Sequence, residues 1–387
     1  MILFESQYDA KPASPYPVGN HLKSQLFMFC NSFTINIWYP SHKLHGILCK
    51  SQLLQKNEIT QETSNMAQLR LYQPPISKEL YQERFGFPDN IVRVTAGAGG
   101  ETLLIFGSEK TALIDCGMAC FQKDLIYNIH TVFLNRHLKD GRVYTLDYIF
   151  CTHSHYDHIG ALAAVKKEWP GAITCASAYA KKVFSRPGAI KTMQEMSNAA
   201  GRDYVSAEEI TIEFEYMQVD RVLSEGDRIS LGEESILVLE TPGHTNCSLS
   251  YALEPQRILF LSESTGTLSP QNTAQSAILK HYYEGYASIE KCKSYGAERL
   301  VIPHCGLIPA DFNDTFWELV KEDMESIVRF LAERQGKMTE EEIMEDYTRI
   351  YYVGQRQKEQ PREAFLLNAV YQLKAAAEEI ERRKESR

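Results

Sequence analysis

One stretch of twelve residues limits what this chain can become: Cys151-Thr152-His153-Ser154-His155-Tyr156-Asp157-His158-Ile159-Gly160-Ala161-Leu162. Tyr148, Ile149 and Phe150 just before it read as the end of a buried strand, and the residues from Ile159 to Trp169 read as a helix. Alternate side chains of an extended segment share a face, so His153 and His155 can serve one ligand centre. Asp157 and His158, past the strand end, can turn toward a second centre nearby. Imidazole nitrogens with a carboxylate are the ligand set of a catalytic zinc or similar divalent ion, one that keeps a position open for water. The alternative is a polar loop with chance histidines. With 11 His in 387 residues, a cluster this tight is not a chance expectation.

Composition narrows the class. Apolar residues make up 44% and charged residues 24%, as in an ordinary soluble globular protein. The length suits one large domain or a domain with an appendage. A net charge of −9 argues against general binding to nucleic acid or an anionic membrane, though it leaves room for a local basic groove. Nine cysteines are scattered without paired spacing, Cys116 and Cys120 coming nearest to a motif, which suits a reducing compartment better than a disulfide framework. No apolar stretch reaches the roughly 18 residues of a membrane span. The N-terminus lacks the basic start and apolar core of a signal peptide. The expectation is a cytoplasmic protein.

Residues 1–65 differ from the rest: prolines and asparagines break any long pattern there, and only Leu26 to Cys30 and Phe33 to Tyr39 suggest short strands. Three readings stay open: a small module, a flexible extension, or upstream sequence ahead of a true start at Met66. From Asn90 the pattern turns strand-rich, with Ile91 to Val94, Leu103 to Phe106 and Ala112 to Asp115 as strands. Phe121 to Leu138 is spaced as a helix, and Val143 to Phe150 as the strand that feeds the histidine cluster. Ser177 caps a short helix to Phe184, a turn follows at Pro187-Gly188, and Ile190 to Ala199 is helical again. Val222-Leu223, Arg228 to Leu231 and Ser235 to Glu240 read as a β-meander that delivers Thr241-Pro242-Gly243-His244-Thr245. Ser248 to Leu253 and Ile258 to Ser262 are further strands, Ser276 to Lys293 a helix interrupted by Gly285, and Leu300 to Pro303 a last buried strand. Beyond it, Asp314 to Arg334 is amphipathic, Thr339 and Glu342 form a capping box, and Pro361 opens a third helix through Ala376. Strands alternating with helices, with polar residues gathered at strand ends, predict an α/β fold with its site on one rim.

Four other stretches supply chemistry at such strand ends: Asp115, His244 in Pro-Gly-His-Thr, Glu263 after Leu259-Phe260-Leu261-Ser262, and His304 in Pro-His-Cys-Gly. With the His-x-His-x-Asp-His run, they make residues 90–310 resemble the metallo-β-lactamase superfamily of metallohydrolases. The resemblance implies a four-layer αββα sandwich, two mixed sheets face to face with helices outside, followed here by a C-terminal helical extension. It divides the chain into the atypical residues 1–65, a hydrolase domain over 66–310 and a helical region over 311–387 that covers the site. It also implies two divalent ions, zinc first, with manganese and iron suited by the same ligands. His153, His155 and His244 would hold one ion, and Asp157, His158 and His304 the other. Where the family carries a bridging aspartate this chain has Glu263, the same carboxylate on a stem one methylene longer. Asp115 is expected behind the ligands, orienting a histidine through its other ring nitrogen. Tyr156 and Tyr282 are pocket candidates.

The implied chemistry is hydrolysis. The ions would lower the pKa of a shared water to present hydroxide at neutral pH, and Asp157 would take the proton from that water and pass it to the leaving group. The cysteine of true β-lactamases is replaced here by Glu263, and the helical tail is similar to that of thioester- and lactone-cleaving members. The expected substrate is therefore a small ester, thioester or lactone, rather than a nucleic acid or a membrane component, in a chain whose assembly as a homodimer is left open. A phosphodiesterase or ribonuclease of the same fold, and a mononuclear iron sulfur oxygenase, are the competing readings.

Overall fold

The computed structural model describes residues 88–386, apart from 270–272, 305, 309, 354–356 and 358–359. The expectations for residues 1–65 and for a start at Met66 lie outside these residues. The first sheet has six strands in chain order: β1 (Ile91–Arg93), β2 (Leu103–Phe106), β3 (Thr111–Ile114), β4 (Tyr148–Phe150), β5 (Ile173–Ser177) and β6 (Arg221–Leu223). β1, β2 and β3 pair antiparallel, while β3 to β6 pair parallel. Parallel neighbours require crossovers, and helices supply them. α1 (Gln122–Asp140) joins β3 to β4, and α2 (Tyr156–Ile159) with α3 (Leu162–Glu168) joins β4 to β5. α4 (Ala178–Phe184) and α5 (Pro187–Ala200) lead on toward β6.

The second sheet also has six strands. It contains β7 (Arg228–Ser230), β8 (Ser235–Glu240), β9 (Leu249–Glu254) and β10 (Ile258–Phe260). A separate ribbon, β11 (Thr267–Ser269) and β12 (Thr273–Gln275), and the helix α6 (Tyr282–Tyr295) come before the remaining strands, β13 (Arg299–Ile302) and β14 (Gly306–Leu307). The order is β14-β13-β10-β9-β8-β7, with only the β10/β13 pair parallel.

Strand alternation explains the layers. Leu103 and Ile105 of β2, Phe150 of β4, Tyr251 of β9, Phe260 of β10 and Val301 of β13 share one buried core between the sheets. Their neighbours point the other way: Leu104, Leu113 and Ile149 meet Leu125, Ile129 and Phe133 of α1. On the far side, Leu259, Leu300 and Ile302 meet Ile289 of α6 and Phe316, Trp317 and Val320 of α7 (Asn313–Arg334). The period-two pattern thus covers both faces of both sheets, giving the αββα sandwich. α7 continues beyond the sheet, where Ile327, Val328 and Leu331 pack with α8 (Glu340–Tyr351) and α9 (Arg362–Glu385). The capping box at Thr339 forms, with both reciprocal hydrogen bonds. Among the described residues, no helix is long and apolar enough to cross a membrane.

Several elements depart from the periodicity. The strand expected from Val143 is confined to Tyr148–Phe150, because the Asp147 carboxylate accepts the Thr111 amide at 2.8 Å and anchors a loop that leaves Val143 90% exposed. Pro187 is no turn residue but stands in the first turn of α5, where its missing N–H is not needed. The expected meander is split, since β6 pairs with β5 in the first sheet and β7 opens the second. The helix expected from Ser276 starts only at Tyr282, because the Leu279 and Lys280 amides bond the Gly243 carbonyl instead. α9 runs on to Glu385, past the expected charged tail, with Glu379 buried between Arg382 and Arg383.

Candidate metal centre

The site forms where β3, β4 and β10, the turn after β8 and the turn after β13 end on one rim. Asp115 follows β3 with φ of 55°, a left-handed conformation that Asp tolerates better than most residues. That turn sends its carboxylate back over β4. Oδ1 accepts the Thr152 amide at 2.7 Å, and Oδ2 accepts the Thr152 hydroxyl at 2.6 Å and His158 Nδ1 at 2.8 Å. Because the Thr152 hydroxyl donates to Asp115, it accepts from His153 Nδ1, 3.1 Å away. One carboxylate therefore fixes two ring tautomers, leaving the Nε2 lone pairs of His153 and His158 facing the site.

His155 precedes α2, and its carbonyl accepts the His158 and Ile159 amides at 3.1 and 3.0 Å, so the short helix holds Asp157 and His158 at the rim. On the second sheet, Gly243 has φ of +137°, and a Cβ there would lie 2.5 Å from the Gly285 Cα. Gly285 is thus a point of close approach between α6 and the Pro-Gly-His turn, not a break in the helix. His244 donates its amide to Ser264 Oγ at 2.9 Å, and its Nδ1 bonds the Ala277 carbonyl at 2.6 Å. That carbonyl fixes the third tautomer, again leaving Nε2 as the free lone pair.

These lone pairs converge. His244 Nε2 lies 2.9 Å from His155 Nδ1 and 2.5 Å from Glu263 Oε2, with His153 Nε2 3.5 Å from the same oxygen. On the other side, Glu263 Oε1 lies 2.8 Å from His304 Nε2, which is 3.1 Å from His158 Nε2 and 3.5 Å from Asp157 Oδ2. The ligand atoms fall into two groups, His153, His155, His244 and Glu263, and Asp157, His158, Glu263 and His304, each within 4.8 Å. Glu263 belongs to both, one oxygen turned to each.

A metal suits this arrangement on structural grounds. His153 Nε2 is buried with no hydrogen-bond partner. His244 Nε2 and Glu263 Oε2 are both acceptors at 2.5 Å, a contact that calls for a shared cation. Burial, reinforced by His244, holds the His155 imidazole down to about 3, and burial with His158 holds His153 well below its ordinary value. Both rings are therefore neutral at physiological pH and able to bind a cation. His158 goes the other way: burial lowers it, but Asp157 and Asp115 outweigh burial and raise it. Glu263 is pushed up by burial, yet His244 and His304 bring it well below the usual carboxylate range.

Residues 98–304 match the family model described as the metallo-beta-lactamase superfamily. The chain belongs to the metallo-beta-lactamase superfamily. Its fold is similar to a metallo-beta-lactamase family protein of Thermus thermophilus, at 19% identity, a TM-score of 0.51, and coverage of 76% of this chain and 94% of that one. Among curated proteins it is similar to the hydroxyacylglutathione hydrolase of Bartonella tribocorum, 26% identical over 127 residues, which is 33% of this chain and 37% of the relative. The corresponding protein of Ruegeria pomeroyi is 25% identical over 180 residues, 46% of this chain and 52% of the relative. The chain thus spans about a third to a half of the length of the relatives it matches.

In this superfamily member His155, Asp157, His244, Glu263 and His304 line a cavity of about 390 Å³, a volume in the usual range of small-molecule sites, with His153 and His158 buried behind them. Tyr156 lines it, whereas Tyr282 does not; the Tyr282 hydroxyl donates to Glu325 on α7 at 2.5 Å. Asp115 stays behind the ligands, 2% exposed. Two contributors carried no sequence signal. α5 forms one cavity wall through Met193 and Met196, and Gln372 of α9 donates from Nε2 to the Ser276 carbonyl at 2.8 Å while its Oε1 accepts the Tyr347 hydroxyl at 2.8 Å. Ser276 adjoins Ala277, whose carbonyl orients His244, so the C-terminal helices reach a ligand through one backbone segment.

Proposed function

We propose that the protein is a metal-dependent hydrolase of a small ester, thioester or lactone, with two divalent ions, zinc in first place, held by the ligand groups that share Glu263. The observation that carries this reading is that sharing: two convergent sets of imidazoles and carboxylates, one oxygen of Glu263 in each, beside a cavity that admits a small molecule. When bound, the ions would supply an activated water at neutral pH and a positive charge opposite the developing oxyanion.

The chain's own residues do the rest. His153, His155 and His244 would hold the first ion, and Asp157, His158 and His304 the second. The Asp157 carboxylate, which faces the cavity, would accept the proton of the attacking water and return it to the leaving oxygen or sulfur. Asp115 keeps Nε2 of His153 and His158 available, as the Ala277 carbonyl does for His244. The names of the curated relatives support thioester-type cleavage, and the acidic composition speaks for a small molecule over nucleic acid. A cytoplasmic setting, a homodimeric assembly, and division into a hydrolase domain over 66–310 and a helical region over 311–387 complete the reading.

The test is elemental analysis of the purified protein beside a panel of aryl esters, thioesters, lactones and bis(p-nitrophenyl) phosphate. Two zinc ions per chain with turnover of the acyl substrates are expected. Turnover of the phosphodiester alone, or a single iron without hydrolysis, would overturn the proposal.

A further inference from the structure

The ligand groups occupy only one end of the cavity, and the rest of its wall points to what the substrate carries. Met193 and Met196 of α5 face Phe365 and Leu367 of α9 across it, with Leu279 beside them. Met193, Leu279 and Phe365 are each under 9% exposed, so the inner part of this wall is packed, while Leu367, 40% exposed, stands at its rim. Methionine side chains adapt to irregular apolar ligands, and two of them on one helix suit a flexible chain better than a rigid ring. The polar side chains on the same walls are uncharged, amides such as Asn368 and Gln275 and hydroxyls such as Thr192 and Ser276.

Charge sharpens the choice. Among the described residues lining the cavity there is no lysine or arginine; apart from the Tyr156 phenol, its ionisable groups are His155, Asp157, His244, Glu263 and His304, all at the ligand end. A carboxylate or phosphate placed along the apolar wall would lose its hydration with no counter-charge from these residues. A glutathione moiety brings two carboxylates, so the wall does not suit the substrate named for the curated relatives.

We infer that the cavity takes an uncharged ester or lactone with an aliphatic acyl chain, the chain lying between α5 and α9 and the reacting carbonyl at Glu263. Water adds to the acyl carbon and the acyl C–O bond breaks, giving the carboxylic acid and the alcohol. The inference rests on the hydrolase reading for its chemistry and on the cavity walls for its specificity. Met196, half-buried on α5, is its specificity-determining residue.

The zinc-loaded full chain is assayed with p-nitrophenyl acetate, butyrate, hexanoate and octanoate, and with S-lactoylglutathione. N-methyloctanamide, a far less labile amide, is titrated calorimetrically in parallel. Each buried methylene is worth about fourfold, so kcat/KM rises on the order of tenfold per two-carbon step until the cavity is filled, mostly through KM. Met196→Ser lowers the octanoate-to-acetate ratio of kcat/KM about tenfold, and Met196→Leu retains it. A flat or falling ester series, or S-lactoylglutathione as the preferred substrate, overturns the inference while leaving the hydrolase reading intact. If nothing is cleaved but the amide binds, the hydrolase reading falls and the acyl site stands. If nothing is cleaved and nothing binds, both fall.

Discussion

His153 and His244 are 0 and 1% exposed and, with His155, form an all-imidazole group, whereas Asp157, His158 and His304 mix a carboxylate with imidazoles, and the Asp157 and His304 side chains are 18 and 16% exposed. Both groups face the same glutamate, and burial disfavours the imidazolium in both, yet the net shifts run in opposite directions. In the first, burial and the neighbouring imidazoles outweigh the pull of Asp157 and Glu263, so the His153 and His155 rings stay neutral and ready to bind. In the second, Asp157 and Asp115 favour the proton on His158, so a cation must compete for that ring. Similar ligand types can therefore load differently, according to what stands behind them.

The harshest way to break this comparison is to remove a first-group ring. His155→Ala is expected to bring activity to background and to abolish metal binding at the first group, with an unchanged far-UV circular dichroism spectrum; retained activity would sink the assignment. Glu263→Gln should weaken both ions together, since each carboxylate oxygen serves one group, and metal-to-protein ratios after gel filtration report it.

Asp115→Asn should lower metal affinity by about 10- to 100-fold. The second ion should suffer more than the first, because Asp115 touches His158 directly but reaches His153 only through Thr152. Competition with a chromophoric chelator separates the two steps. Acid sharpens the same contrast. As pH falls, His158, held above its ordinary value, is protonated before His155, which stays neutral down to about 3. Dialysis at mildly acidic pH should accordingly strip the second ion first, and loss of both at one midpoint would contradict the contrast.

The smallest effect is expected at Gln372. Gln372→Leu leaves the Ser276 carbonyl and the Tyr347 hydroxyl without this partner, a cost of about 1–3 kcal/mol in thermal unfolding. Through Ala277 it should loosen His244, so any change in metal affinity appears at the first ion rather than the second.

Much of this was legible beforehand because it is local. The unbroken apolar runs Leu103-Leu104-Ile105-Phe106 and Leu259-Phe260-Leu261 report strands buried on both faces, and the His-x-His-x-Asp-His run places its candidate ligands just past a strand end. Elements whose ends are set by distant partners were harder to read. Ser276 to His281 has helical spacing, but its backbone is taken by Gly243, His244 and Gln372, so the helix waits until Tyr282. β6 looked like the first strand of a meander because nothing in Arg221-Val222-Leu223 says which sheet it joins. Tyr282, near the site in sequence, turns its hydroxyl to Glu325 instead.

By itself the sequence determined the chemistry on offer: which imidazoles and carboxylates exist, how far apart they stand along the chain, and which strands are buried. Only the tertiary structure decided how they are used. That Asp115 fixes two tautomers, that Glu263 turns one oxygen to each group, and that α5 and α9 bring a largely apolar wall, without lysine or arginine among the described residues, to the same cavity are contacts between residues tens to hundreds of positions apart. A lone pair is aimed by the partner on the far side of its ring, and no local pattern of residues records which distant group that partner will be.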